Sequence, residues 1–372
     1  MSQPARSPAN PSFLGTFALV FASAAGLFVI DTFLARMEQA ESQAQASRLL
    51  AEGQRLAGQD HVLESIDRLR AALAAVPGDR ETELALVQEL LAANKLSDAK
   101  SLLTEMLAHD PTDGATNLFM ARVLAKEGRT DAAITYYHTA IYGKWSKDPE
   151  AHRVSARFEL IDLLVRDDAK RELLAELLPL QDEAPADVQT RMRIAHLFTL
   201  SGSPARSAEI FRQILRQDPQ NAAACAGLAE AQFAEKNFRG AQAEFAAAAR
   251  LKPGDEQIQK RLDLTSEILD LDPTKRGLRA SERYSRSAKL VNLASDDLSR
   301  CAGSAPPEAI QKLTAQAGTA LKSKVRAGRE SEAADDDLEL AEQLWQARKK
   351  FCREPPSASS DAMALVLDKL AQ

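Results

Sequence analysis

Along most of this chain apolar residues recur at the three- and four-residue spacing of one helix face, broken at short intervals by Pro, Gly or Asn. The pattern predicts helix after helix. One stretch breaks the amphipathic rule. From Phe13 to Ile30 the eighteen residues FLGTFALVFASAAGLFVI carry no charge. At about 1.5 Å per residue they reach roughly 27 Å, nearly the thickness of a bilayer core.

The punctuation is periodic. Pro77 and Pro111 are 34 residues apart, as are Pro219 and Pro253, and each follows an apolar helical stretch. Pro149 and Pro185 continue the series with steps of 38, 36 and 34, so the repeat persists with six extra residues. A fixed period of this length is the mark of a stacked repeat architecture. Residues 222–255 show its internal pattern best, with Cys225, Leu228, Ala229, Ala241, Phe245, Ala248 and Pro253 at the small and bulky positions where paired helices touch. Residues 114–147 repeat it through Met120, Ala121, Leu124, Gly128, Ala133, Tyr137 and Ala140. Earlier repeats show Ala99, Leu103 and Met106, then Ser65, Leu69 and Ala72; Ile194, Ala195, Phe198, Ser207 and Phe211 hold the same places in 188–221.

On these residues the chain resembles the tetratricopeptide-repeat (TPR) family. Gln232 stands where that family has an aromatic, and 150–187 is degenerate, with Leu160, Leu173 and Leu177 at small-residue places. The resemblance implies an all-α, right-handed helical solenoid of about six repeats over 46–255, whose concave surface holds partners. Residues 256–272 read as its capping helix, with apolar Ile258, Leu262, Leu264, Ile268 and Leu269.

Beyond Asp272-Pro273 the period stops, and residues 274–372 read as a helical bundle of no characterised family. Helices are expected from Arg279 to Cys301, Pro307 to Val325, Asp337 to Cys352 and Ser360 to Leu370, separated at Gly303-Ser304, Gly328 and Pro355-Pro356. The run Thr274–Lys289 is basic through Lys275, Arg276, Arg279, Arg283, Arg286 and Lys289. It is either a site for anionic lipid or an acidic partner, or a solvated face that balances the acid-rich repeats.

Composition narrows the function. Aromatics make up only 5%, and 16 Gly and 16 Pro leave Ala- and Leu-rich helices that pack closely. A net charge of -6 gives no field to hold a polyanion, so nucleic acid is not expected as a partner. Cys225, Cys301 and Cys352 form no CxxC pair. His61, His109, His138, His152 and His196 form no HExxH or other metal-ligand spacing, and consecutive Asp335-Asp336-Asp337 read as the acidic start of a helix. No GxxxxGK[ST], GxGxxG after a strand, or GxSxG occurs. No enzyme activity, cofactor, metal or small-molecule substrate is expected.

After a tail of residues 1–12, residues 13–35 are expected to be an uncleaved transmembrane signal-anchor helix. The alternative is signal cleavage after Ala22-Ser23-Ala24. The apolar run is followed by no cysteine, which excludes lipoprotein processing. Arg6 on one side faces Arg36 and Arg48 on the other, so the charge rule barely discriminates; a short lead without acidic groups favours a cytoplasmic tail. The expectation is a single-pass inner-membrane protein with its soluble part periplasmic, a non-catalytic bacterial scaffold or assembly factor of the cell envelope. Its rivals are a cytoplasm-facing adaptor that regulates an enzyme, and an enzyme with its site in the bundle.

Carrying TPR groove positions onto this chain gives Leu84 and Gln88, Phe119 and Arg122, Gln189, Met192, Arg193 and His196, and Glu230. Gln88, Phe119, Arg122, Met192, Arg193 and His196 are the expected partner groove. The Lys and Asn pairs of carboxylate-clamping TPRs are missing from the matching positions, so a mixed apolar and cationic groove for an extended or helical protein segment is expected. Cys301 and Cys352 end two predicted helices and are a candidate disulfide, while Cys225 is expected to be free and buried.

Overall fold

The structure, a computed structural model, describes residues 11–303, 306–323, 325, 326, 328–352 and 360–371, with the backbone alone for 11–18. Residues 1–10 of the tail, with Arg6, and Ser304 and Pro355-Pro356 lie outside the described residues. Seventeen helices and no strand occur among the described residues.

The repeats are built from helix pairs, of short helices except for the long α1. The pairs are α1 (Pro11–Ala57) with α2 (Val62–Ala75), α3 (Arg80–Ala92) with α4 (Leu96–His109), and α5 (Gly114–Lys126) with α6 (Thr130–Tyr142). Then come α7 (Pro149–Arg166) and α8 (Lys170–Glu183), followed by the pairs α9 (Val188–Leu200) with α10 (Pro204–Gln217), and α11 (Ala222–Ala234) with α12 (Phe238–Leu251). The architecture is a TPR-type all-helical solenoid. The capping helix α13 (Glu256–Leu271) follows, then α14 (Ala280–Ala302), α15 (Glu308–Lys322), α16 (Glu330–Phe351) and α17 (Asp361–Leu370).

The sequence period is built from helix starts. Asp79, Asp113 and Asp187 accept hydrogen bonds from the backbone N–H of Thr82, Thr116 and Thr190; Asn221 and Asp255 do the same for Ala224 and Ile258. Each cap sits two residues after a repeat proline and contributes about 1 kcal/mol to the helix it starts. Pro149 instead begins α7 itself, which is where the repeat signature degenerates.

Chain contacts divide the molecule into two compact units, residues 1–163 and 164–372. In the first, Ile66, Leu69, Leu90, Leu103, Ala121, Leu124, Ala133 and Ala140 are at most 2% exposed, so small and bulky residues interlock as the repeat pattern requires. The residues added to the repeat form a staple after α6. Lys144 donates its N–H to Thr112 and accepts one from Gly114, both at 2.8 Å, while the Trp145 indole N–H bonds to the Ala140 carbonyl at 2.9 Å. Trp145 also stacks on His152, with ring centroids 4.5 Å apart.

The same unit holds the apolar run. It does not end before the repeats start: α1 is one unbroken helix of 47 residues, so the run and the first repeat helix are continuous. Its most apolar window has a mean hydropathy of 1.7 and no buried residue, a length and composition shared by membrane anchors and signal sequences. Leu19, Phe21, Leu27, Phe28 and Phe33 are all exposed.

In the second unit the bundle and the cap share one core. Phe238, Ile268 and Leu271 pack in a single apolar cluster with Leu290, Val291, Leu298, Leu344, Trp345, Met363 and Leu367. Polar ties reinforce it: Lys236 donates to the Asp368 carbonyl at 2.9 Å, and Lys369 to the Asp272 carboxylate at 2.7 Å. One boundary differs from the sequence expectation. Helix α16 starts at Glu330, not near Asp337, because Glu330 and Glu332 already occupy its positive end. The three aspartates therefore lie inside the helix, and Asp337 is buried with its pKa raised, first by desolvation and then by Asp336.

Candidate functional site

The sequence-derived groove positions lie on the first helices of their repeats, because the caps at Asp79, Asp113 and Asp187 fix where those helices begin. None of the six is buried. In the first unit Gln88 on α3 is exposed, and Phe119 and Arg122 on α5 are half-buried. The Arg122 guanidinium stands 5.0 Å from the centre of the Phe119 ring. It also forks onto Glu159 of α7, with Nε 2.8 Å from Oε2 and Nη2 2.6 Å from Oε1. That bidentate bond raises the Arg122 pKa further, so it stays charged. Lys126, one turn on, gives its ammonium to the Leu91 carbonyl at 3.1 Å.

In the second unit Met192, Arg193 and His196 occupy one side of α9, with Met192 half-buried and the other two exposed. The His196 ring meets Phe211 edge to face, centroids 5.0 Å apart. Although the residue is exposed, desolvation of its ring lowers its pKa, and the negative charge of Glu230 opposes the shift. Glu230 on α11 is in turn held by both arms of Arg261 on α13, with Nε 2.6 Å from Oε1. Arg261 lies over Phe233, 4.1 Å from its centroid.

Two residues missed from sequence, Glu159 and Arg261, change the electrostatic character of these faces. The faces carry Arg–Glu pairs between successive first helices, not a row of unpaired cations. The signal was available: Arg122 and Glu159 are 37 residues apart and Glu230 and Arg261 are 31, both close to the repeat length, so stacked helices bring them opposite one another. A second omission is Glu89. It lines a cavity of about 370 Å³ between α1, α2 and α3, together with Gln54, Ala57, Leu69, Ala85 and Gln88.

The basic run after the cap is partly internal. Arg286 donates to the Leu269 and Asp272 carbonyls at 2.7 and 3.1 Å and so closes the end of α13, and Arg283 pairs with Asp335. Lys289, Arg276 and Arg279 remain exposed. Cys301 and Cys352, at the ends of α14 and α16, have Cα atoms 5.9 Å apart and their sulfurs are bonded. Cys225 is free and buried, and burial pushes its thiol pKa up.

Residues 90–158 and 198–262 match the Tetratricopeptide repeat family profile. Among solved structures, the C-terminal part of a TPR repeat-containing protein from Cytophaga hutchinsonii is 11% identical, covering 65% of this chain and 94% of that one at a TM-score of 0.47. YrrB, described as a TPR protein with an unusual peptide-binding site, is 15% identical over 52% of this chain and 96% of its own, at a TM-score of 0.41. A Pseudomonas aeruginosa protein, pilF, is 14% identical over 74% and 99%, at 0.30. No curated protein sequence matches the chain.

Proposed function

The chain is a tetratricopeptide-repeat protein, and on that premise we propose that it is a membrane-anchored scaffold that binds an extended or helical segment of a protein partner on the first-helix faces of its repeats. The carrying observation is the surface position of all six groove residues on helices whose opposite sides are packed. Val87, Leu90, Ala121, Leu124, Ala195 and Phe198 bury the inner side at 3% exposure or less, while Gln88, Arg193 and His196 are exposed and Phe119, Arg122 and Met192 half-buried. Faces of aromatic, aliphatic and paired charged groups give shape and register to a peptide, which suits binding.

The anchor is α1. Its exposed apolar residues need a non-aqueous surrounding, and the continuity of α1 into the first repeat couples membrane and solenoid through one rigid rod. The Cys301–Cys352 bond supports an oxidising compartment, hence a periplasmic soluble part in a single-pass inner-membrane protein of the cell envelope.

The test is crosslinking of the full chain in its native membranes, followed by capture and peptide mapping of the crosslinks. Partner crosslinks should map to α3, α5 and α9, and a chain carrying both Arg122→Glu and Arg193→Glu should lose them while its membrane residence is unchanged. Crosslinks confined to α14–α17 would remove the groove assignment. Carbonate washing should leave the chain in the membrane fraction; release, with a new N-terminus at Ala25, would establish a cleaved signal instead.

A further inference from the structure

Glu89 is anomalous among the carboxylates of the first unit. The residue is 7% exposed and lines an open cavity, and no side-chain hydrogen bond or ion pair of Glu89 occurs among the described residues. Desolvation raises its pKa, and the charge of Asp60 raises it further. A partly desolvated carboxylate without a counter-charge is destabilising when ionised, and such a group is suited to a site where a ligand supplies the charge. Three cations on the surrounding helices α1, α2 and α5 have other partners: Arg55 bonds to Gln59 at 2.9 Å, Arg68 to Glu52 at 3.4 Å, and Lys126 to the Leu91 carbonyl at 3.1 Å.

What Glu89 does face is space. The cavity of about 370 Å³ is lined by apolar Ala57, Leu69 and Ala85, by Gly58, and by polar Gln54, Ser65, Gln88 and Glu89. No basic residue lines it. Gln88 is also a groove residue, so the cavity opens beside the proposed binding face.

We propose that this cavity receives the side chain of a lysine or arginine from the bound partner segment, its aliphatic stem against Ala57, Leu69 and Ala85 and its cationic head against the Glu89 carboxylate. The side chain brings both things the cavity lacks, apolar filling and positive charge. The inference rests on the scaffold reading and names one feature of the partner: a basic residue at the position that meets α3.

Two measurements on the full chain in micelles separate this inference from the scaffold reading. In protein with carboxyl-labelled glutamate, the resonance lost on Glu89→Gln is that of Glu89, and its titration is followed in n-butylammonium chloride and in tetramethylammonium chloride at equal ionic strength. The primary ammonium ion should lower the Glu89 midpoint, by about one pH unit at roughly ten times its dissociation constant, because it binds only the ionised form. Equal midpoints in the two salts overturn the cavity assignment. In the second measurement, peptides selected from an immobilised library by the wild-type chain should weaken at least about tenfold when their lysine is replaced by norleucine. The Glu89→Gln chain should not distinguish the two peptides. Selected peptides without that dependence sink the inference and leave the scaffold standing; no selected peptide, with the ammonium shift present, keeps the cavity and removes the scaffold.

Discussion

Arg348 of α16 places its Nε 2.7 Å from Oδ2 of Asp297 on α14, and both side chains are at most 7% exposed. Ser360, just before α17, donates to the other oxygen of the same carboxylate at 3.2 Å, and Arg300 reaches it at 3.3 Å. Three helices of the bundle thus meet on one aspartate. A buried pair of this kind stabilises little against an apolar replacement but costs much when broken, since the survivor keeps its desolvation penalty.

Asp297→Asn or Arg348→Met alone should therefore destabilise the second unit by about 3–5 kcal/mol, and the double change Asp297→Leu with Arg348→Met by less than either. Urea unfolding followed by the emission of Trp345, which packs beside Arg348, reads this directly. A double variant weaker than both singles would show that the pair adds net stability.

The disulfide lies one turn from that pair and closes a loop with a sequence separation of 51. Replacing Cys301 and Cys352 with Ser should lower stability by about 2–4 kcal/mol, with the loss confined to the second unit. Alkylation of the unfolded, unreduced chain should label Cys225 alone; in the folded chain Cys225 should resist alkylation until well above the usual thiol range, because burial raises its pKa. Labelling of all three cysteines without reductant would remove the bridge and the argument for an oxidising compartment with it.

Gly114 shows why a glycine is needed at one helix start. A Cβ there would fall within the Trp145 indole, so the staple after α6 closes only over a bare Cα. Gly114→Ala should displace the indole, break its bond to Ala140 and cost about 1–3 kcal/mol. In a Trp345→Phe background the Trp145 emission should move to the red. Unchanged emission with an unchanged unfolding midpoint would mean that the loop relaxes freely.

The fold was largely legible because repeat helices advertise themselves locally. A proline, a capping Asp or Asn two residues later and an Ala-Leu-aromatic face recur in the sequence itself, so helix pairs follow without knowledge of any distant contact. The candidate face was legible only in part. Repeat register puts Gln88, Phe119, Arg122, Met192, Arg193 and His196 on first helices, where none is buried, but Glu159 and Arg261 matter through partners on the next helix, and the register of stacking is a tertiary property. The bundle was least legible. Its helix ends could be read from breakers, yet its docking on α13 depends on Phe238, Ile268 and Leu271 meeting Met363 and Leu367 from far along the chain. Glu89 was invisible for a further reason: a carboxylate at a helix position predicts solvent, and only the packing of α1 and α2 against α3 reveals that it is largely shielded.

That shielding has a consequence for pH that needs no partner. The folded-state pKa of Glu89 is raised, so the chain binds a proton at this residue more tightly folded than unfolded. Above the folded pKa the ionised, desolvated carboxylate weakens the fold. As pH falls through the folded pKa toward the ordinary glutamate value, that penalty is relieved, and below it both states are protonated and no further change comes from this group. Glu89→Gln keeps the shape and removes the charge, so it should raise the melting temperature of the first unit at neutral pH and lose that advantage as the pH approaches the ordinary glutamate range. A partner segment that supplies a lysine or arginine to the cavity should reverse the order at neutral pH, stabilising wild type more than the Gln variant. Melting curves of both chains across that range are the measurement. A Gln variant less stable than wild type at neutral pH, with no partner present, would show that Glu89 already has a stabilising cation in the free protein, and the case for an incoming basic side chain would fall.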